Sequence, residues 1–181
     1  MTEIQIIKII FGILLFLGGT VLIILSYVSG YRYLVQEKRC TAKVSGTIKK
    51  YTLGSRGGSS GIHLPVVYYV VDGVEYKRIG PEYKGYVQIT KKGFATQNSM
   101  NYEEKNQVFY IHRNMNSVIG AAKNPIQELY PLDSQIDVYY DPGNPKLSYV
   151  LRYCNNKWVF WLMFLTGAVL WIVDVMIQIF L

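Results

Sequence analysis

The chain has 181 residues, half of them hydrophobic, and 19 lysines and arginines against 12 carboxylates give a net charge of +7. Two histidines far apart in sequence, and two cysteines with no partner at metal spacing, fall short of a four-ligand zinc site. The charges are scattered rather than blocked, which excludes a disordered basic tail, and no internal repeat or low-complexity tract is present.

From Ile4 to Val28 the only charge is Lys8, a run longer than the roughly 20 residues that cross a hydrocarbon core. Backbone polar groups inside a bilayer must be bonded internally, so this stretch is expected to be a helix, and residues 4–30 read as a first transmembrane span. The length of the run and the lack of a small-x-small site argue against a cleaved signal peptide. Gly12, Gly19 and Ser26 recur every seven residues and form a stripe of small side chains.

Residues 31–157 carry eighteen of the nineteen lysines and arginines and ten of the twelve carboxylates, and read as one β domain. From Cys40 to Lys49, apolar and small residues alternate with polar ones, the period of a half-buried strand. Residues 54–61, "GSRGGSSG", read as a flexible loop, since no helix follows to make them a phosphate cradle. Asp72-Gly73 between two β-rich runs predicts a hairpin with a type I′ turn. Counting outward from it pairs Val71 with Val74, Tyr69 with Tyr76 and Val67 with Arg78 on the core face, with the arginine at the rim. Val70 with Glu75 and Tyr68 with Lys77 share the other face.

Residues 81–131 read as an irregular insertion. Within it, 86–90 and 107–113 are candidate strands, 116–124 a candidate helical turn, and the Asn-rich stretch a long, mobile connection. Ile136, Val138 and Tyr140 then alternate with polar or aromatic neighbours into "DPGNP" at 141–145. Pro142 fixes φ, Gly143 permits positive φ, Asp141 is placed to bond the backbone two residues on, and Pro145 starts an edge strand. That cluster is a turn, and it implies neither nucleophile nor base.

From Trp158 to Leu181 the only charge is Asp174, so 158–181 read as a second transmembrane span. Gly167, Trp171, Asp174 and Gln178 fall on one helical face. If the two spans are antiparallel neighbours, a rise of about 1.5 Å per residue brings Gly12 level with the Asp174–Gln178 turn. An intramembrane carboxylate is costly, which makes this face a candidate helix–helix or partner contact. The expected fold class is therefore membrane α plus all-β: two transmembrane helices flanking a small antiparallel β-sandwich or barrel-like domain.

Arg32, Lys38, Arg39 and Lys43 follow the first span, and Lys146, Arg152 and Lys157 precede the second. The positive-inside rule then favours a cytoplasmic domain in a multi-pass cell-membrane protein. Cys40 and Cys154 bracket the domain. A disulfide between them would place it outside, but two reduced, half-buried thiols are the expectation here, with juxtamembrane acylation a further alternative.

"CTAKVSGTI", "LPVVYYVVDGVEYK" and "SQIDVYYDPGNPKLSYV" resemble the bacterial domain-of-unknown-function family numbered 3592. Members place a small β domain beside or between membrane helices and share a closing "YDP-x-NP" turn. The resemblance covers the two ends of residues 40–150 and not the middle, and it implies a fold without implying an activity.

No serine sits in a nucleophile elbow and no acidic pair is flanked for general acid–base work, so no catalytic residue, cofactor or metal is expected. The sixteen tyrosines are explained by strand preference without a nucleic-acid motif. The expected role is a non-enzymatic accessory or interaction protein, its partners being membrane lipid and another membrane protein or a second copy. Bacterial secretion or toxin-protection complexes are plausible settings. The alternative is a membrane-tethered sensor binding a ligand or lipid headgroup.

Overall fold

The computed structural model of the chain describes residues 3–54, 62–91, 99–114 and 124–180. They form two compact units, one of Met1–Val35 with Asn156–Leu181 and one of Gln36–Asn155.

The first unit is a helix pair. α1 spans Glu3–Leu25 and α4 spans Lys157–Phe180, both long and apolar enough to cross a membrane. Phe11, Leu14, Leu17, Leu162, Leu165 and Ile172 are each more than half exposed, unlike the side chains of a soluble core helix. The helix does not stop at residue 30 as expected. A π-helical turn at Ser26–Gly30 leads without a break into α2, Tyr31–Arg39. No proline interrupts this stretch, and Lys38 and Arg39 in its last turn complement the helix dipole.

The second unit is mostly antiparallel β. Its larger sheet has the order β3-β2-β1-β7-β8, from strands β1 (Ala42–Tyr51), β2 (Pro65–Val71), β3 (Val74–Ile79), β7 (Gln135–Asp141) and β8 (Asn144–Val150). The β2–β3 register is the one counted outward from the turn: Val71 faces Val74, Tyr69 faces Tyr76 and Val67 faces Arg78. Asp72 and Gly73 have φ of 50° and 78°, the positive values that a type I′ turn needs. Inward residues Ile48, Val67, Tyr69, Val71, Ile136, Val138 and Val150 make one core. The sheet is nearly closed, because Gly80, just past β3, lies against Val150 of β8. A Cβ on Gly80 would come within 2.9 Å of the valine Cβ, so the edges meet only because this residue lacks one.

The described residues between 81 and 131 hold more regular structure than expected. β4 (Gly85–Lys91), β5 (Ser99–Lys105) and β6 (Val108–Asn114) form a second sheet in the order β4-β6-β5. The two candidate strands are there, but part of the stretch read as an Asn-rich connection is strand β5. The β4–β6 pair is parallel, so the domain is not purely antiparallel. β5 escapes sequence reading because "SMNYEEK" offers no apolar alternation; β6, with buried Phe109 and Ile111, supplies the pairing edge. Ile62, Leu64, Tyr83, Phe109, Ile111 and Ile126 make a second core. The candidate helical turn at 116–124 and the glycine-serine loop lie almost wholly outside the described residues. The short helix α3 is Ile126–Leu129.

Candidate functional site

In the helix pair, buried or half-buried positions recur at heptad spacing on both helices. Gly12 and Gly19 on one face run opposite to Asp174 and Gly167 on the other, and buried Ser26 and Phe160 continue the spacing of each helix. A seven-residue repeat keeps one seam facing the partner helix along its length. At the middle layer, a Cβ on Gly167 would sit 2.8 Å from the Gly19 carbonyl, and one on Gly19 would sit 2.9 Å from the Gly167 carbonyl. Trp171 covers this crossing: its indole Nε1 donates to the Phe16 carbonyl at 3.2 Å and its ring stacks on Phe16 at 5.8 Å. Ser26 is fully buried, and its hydroxyl turns back to the Ile23 carbonyl at 2.7 Å. The π-helical turn then brings Gly30 against Phe160, where a Cβ would lie 2.8 Å from the phenylalanine Cα.

The polar layer is built around Gly12, whose bare Cα faces the Gln178 amide and, 3.0 Å from an added Cβ, Asp174 Oδ1. Gln178 Nε2 donates to the Lys8 carbonyl at 3.4 Å and lies 3.5 Å from Asp174 Oδ1. Lys8 Nζ donates in return to the Gln178 carbonyl at 2.8 Å. Of the seven residues singled out in sequence, Gly12, Gly19, Gly167, Trp171, Asp174 and Gln178 meet between α1 and α4, and Ser26 is buried in the π-helical turn that follows α1. Lys8, the one charge of the first apolar run, thus reaches across to the other helix.

In the β unit, Cys40 and Cys154 are buried, unbridged thiols, so the disulfide alternative is not realised. Cys40 Sγ donates to the Leu147 carbonyl at 3.3 Å. Burial, reinforced by the charge of Asp141, pushes its pKa up to about 11, which keeps it protonated and unreactive.

"DPGNP" is a turn, and Asp141 Oδ1 accepts the Gly143 N–H at 2.9 Å as expected. Gly143 is not at positive φ; among described glycines only Gly73 is. The turn has a second task that sequence reasoning missed. Asp141 pairs with Arg39, the last residue of α2, at 2.7 Å. Gln36, 1% exposed, donates its amide to the Ser148 carbonyl at 3.2 Å. Tyr69 Oη bonds the Pro145 carbonyl at 2.6 Å and Ser148 Oγ at 2.8 Å. The carbonyls of Pro145, Leu147 and Ser148 on β8 are therefore capped by side chains, which protects an edge strand.

The two histidines are apart. His63 is pinned by Asn124, which accepts its N–H at 3.2 Å and donates to its carbonyl at 2.9 Å, while its ring Nδ1 meets the Thr52 carbonyl at 2.7 Å. His112 lies exposed on β6. Among the described residues, no group of three His, Cys, Asp or Glu side chains is placed to hold a metal ion. An open groove of about 480 Å³ runs between α3 and β7, walled by Ser45, Leu129, Tyr130, Gln135, Asp137 and Leu151.

No family model, no curated protein and no solved structure matches this chain.

Proposed function

We propose that this is a non-enzymatic integral membrane accessory protein, anchored by two spanning helices and presenting its β domain to another membrane protein. The observation that carries this reading is the polar layer of the helix pair. Gln178 bonds the Lys8 carbonyl and Asp174 lies beside it against Gly12, so the polar side chains of the anchor gather at its own helix contact. Its outward faces are then apolar and suited to lipid, which leaves recognition to the domain. The resemblance of the domain's end motifs to family 3592 supports the same arrangement. The lysines and arginines flanking both spans support a cytoplasmic placement.

The test is co-purification of the full-length protein from its native membranes in mild detergent, beside Asp174→Leu. A stoichiometric protein partner retained by both is expected. Loss of the partner in Asp174→Leu would move recognition into the membrane, and recovery of lipid alone would overturn the accessory role.

A second reading, a tethered sensor for a small ligand or lipid headgroup, draws on the groove beside α3. Its polar wall of Ser45, Gln135 and Asp137 faces the apolar Leu129 and Leu151. A small molecule bound at that groove without a protein partner would favour it.

A further inference from the structure

The turn between β5 and β6 holds two consecutive non-glycine residues at positive φ, Asn106 at 53° and Gln107 at 65°. Lys105 pairs with Val108 across this two-residue loop, a geometry for which Asn-Gly is the favoured pair. Asparagine tolerates the left-handed region, whereas glutamine there costs on the order of 1 kcal/mol. What glutamine adds is reach. Gln107 Nε2 donates to the Tyr153 carbonyl at 3.0 Å, and its Oε1 accepts the Asn155 N–H at 3.1 Å. Its own carbonyl takes the Lys84 N–H at 2.7 Å, which fixes the turn from behind.

The segment so held is itself strained. Leu151, the first residue after β8, has φ of 62°, a conformation that branched side chains avoid. A second fastening comes from β5, where Glu104 Oε1 meets Arg152 Nη2 at 2.5 Å. The guanidinium also lies over the Tyr83 ring at 5.1 Å. Backbone strain at both sides of one contact points to a device that is held rather than relaxed.

We propose that residues 151–155 form a strap latched by the β5–β6 hairpin, with Gln107 as the positioning residue and Glu104 as the second hold. Tyr153 Oη adds a hold from outside the three-stranded sheet by donating to Glu37 Oε1 at 3.1 Å, and the hairpin contacts set how tightly the rest of the strap is fixed. Leu151 itself stays bonded to β7, its N–H donating to the Asp137 carbonyl at 2.8 Å, so the part that release loosens is residues 152–155. This device stands whether or not the accessory role holds.

Cys154 lies inside the strap and is 2% exposed, so it serves as a built-in reporter, with buried Cys40 as the internal control. The experiment is native-state alkylation and hydrogen exchange on the full-length protein in detergent micelles. Gln107→Gly removes the clamp and relieves the turn. Alkylation of Cys154 and exchange across 153–155 are expected to rise at least tenfold, with Cys40, β1 and β7 unchanged. Gln107→Glu keeps the acceptor for Asn155 but loses the donor to Tyr153, and is expected to fall between wild type and Gly. Unchanged rates at Cys154 in the glycine variant would overturn the latch. So would a rise shared equally by Cys40, β1 and β7, which would report general loosening instead.

Discussion

The two sheets of the β domain hold their strands by different means. In the five-stranded sheet, β1, β2, β7 and β8 all send residues into one cluster, and the two edges nearly meet. In the three-stranded sheet the central strand β6 supplies Phe109 and Ile111, while the edge strands leave Val87, Ile89 and Tyr102 exposed. Its cluster is completed by Ile62, Leu64, Tyr83 and Ile126, none of which belongs to that sheet. Stability is spread over the larger sheet and concentrated in a few side chains of the smaller, so the two should fail differently.

Phe109→Ala tests this with the largest expected effect. The side chain is 1% exposed and touches Tyr83 and Tyr102 with ring centroids 5.0 and 6.0 Å away. Its truncation should cost about 3–5 kcal/mol. Hydrogen exchange should show β4, β5 and β6 losing protection while β1 and β7 keep theirs. A single transition that takes all eight strands together would show that the sheets are one cooperative unit.

Gly46→Ala makes the opposite intrusion in the larger sheet. A Cβ there would meet Val67 Cγ1 at 2.5 Å and Val138 Cγ2 at 2.9 Å, on the two strands flanking β1. Overpacking of this kind costs about 1–3 kcal/mol. Here the midpoint of the whole larger sheet should move without any strand opening first, as read by the same exchange measurement.

Cys40 provides a third, pH-dependent handle. Its thiol titrates near an ordinary 9.0 when unfolded and near 11 when folded, because burial and then the Asp141 charge disfavour the thiolate. The unfolded chain therefore releases its proton first as pH rises, so stability should be full below pH 9 and decline from 9 to 11. The loss should be on the order of 1–2 kcal/mol. Cys40→Ala should remove this component and leave the steeper decline caused by the buried tyrosines, whose hydroxyls are also pushed up by burial. Chemical denaturation across that pH range measures the difference.

The same contrast explains what could be read from the residues alone. Asp72-Gly73 and the alternation around it dictate a register, since a shift by one residue would turn Val67, Tyr69 and Val71 to water. β5 carries no such constraint. Its seven residues are placed by β6, and the parallel β4–β6 pair depends on a connection that local chemistry does not encode. In the helix pair the small and polar positions were legible from spacing, because a glycine stripe and a lone carboxylate are each conspicuous in an apolar run. The Gly30–Phe160 layer was not, since it follows a π-helical turn that shifts the helical phase. The bonds from Gln36 and Cys40 to β8 carbonyls and the ion pair from Arg39 to Asp141 were also hidden, because each joins residues more than a hundred positions apart.

The smallest effect separates the two hairpin turns of the larger sheet. Asp72-Gly73 needs glycine: at φ of 78° an alanine is strained, and Gly73→Ala should cost about 1 kcal/mol. Gly143 looks equivalent in sequence and is not. Its φ lies outside the left-handed region, and an added Cβ would make only an ordinary contact, 3.5 Å from Asp141 Oδ1. Alanine there leaves the N–H that caps Asp141 in place and reduces the freedom of the unfolded chain. Gly143→Ala should therefore be neutral or stabilise by up to about 1 kcal/mol. A loss as large as that at Gly73 would mean that the closing turn, and with it the Arg39–Asp141 clamp, depends on a glycine conformation that its geometry does not display.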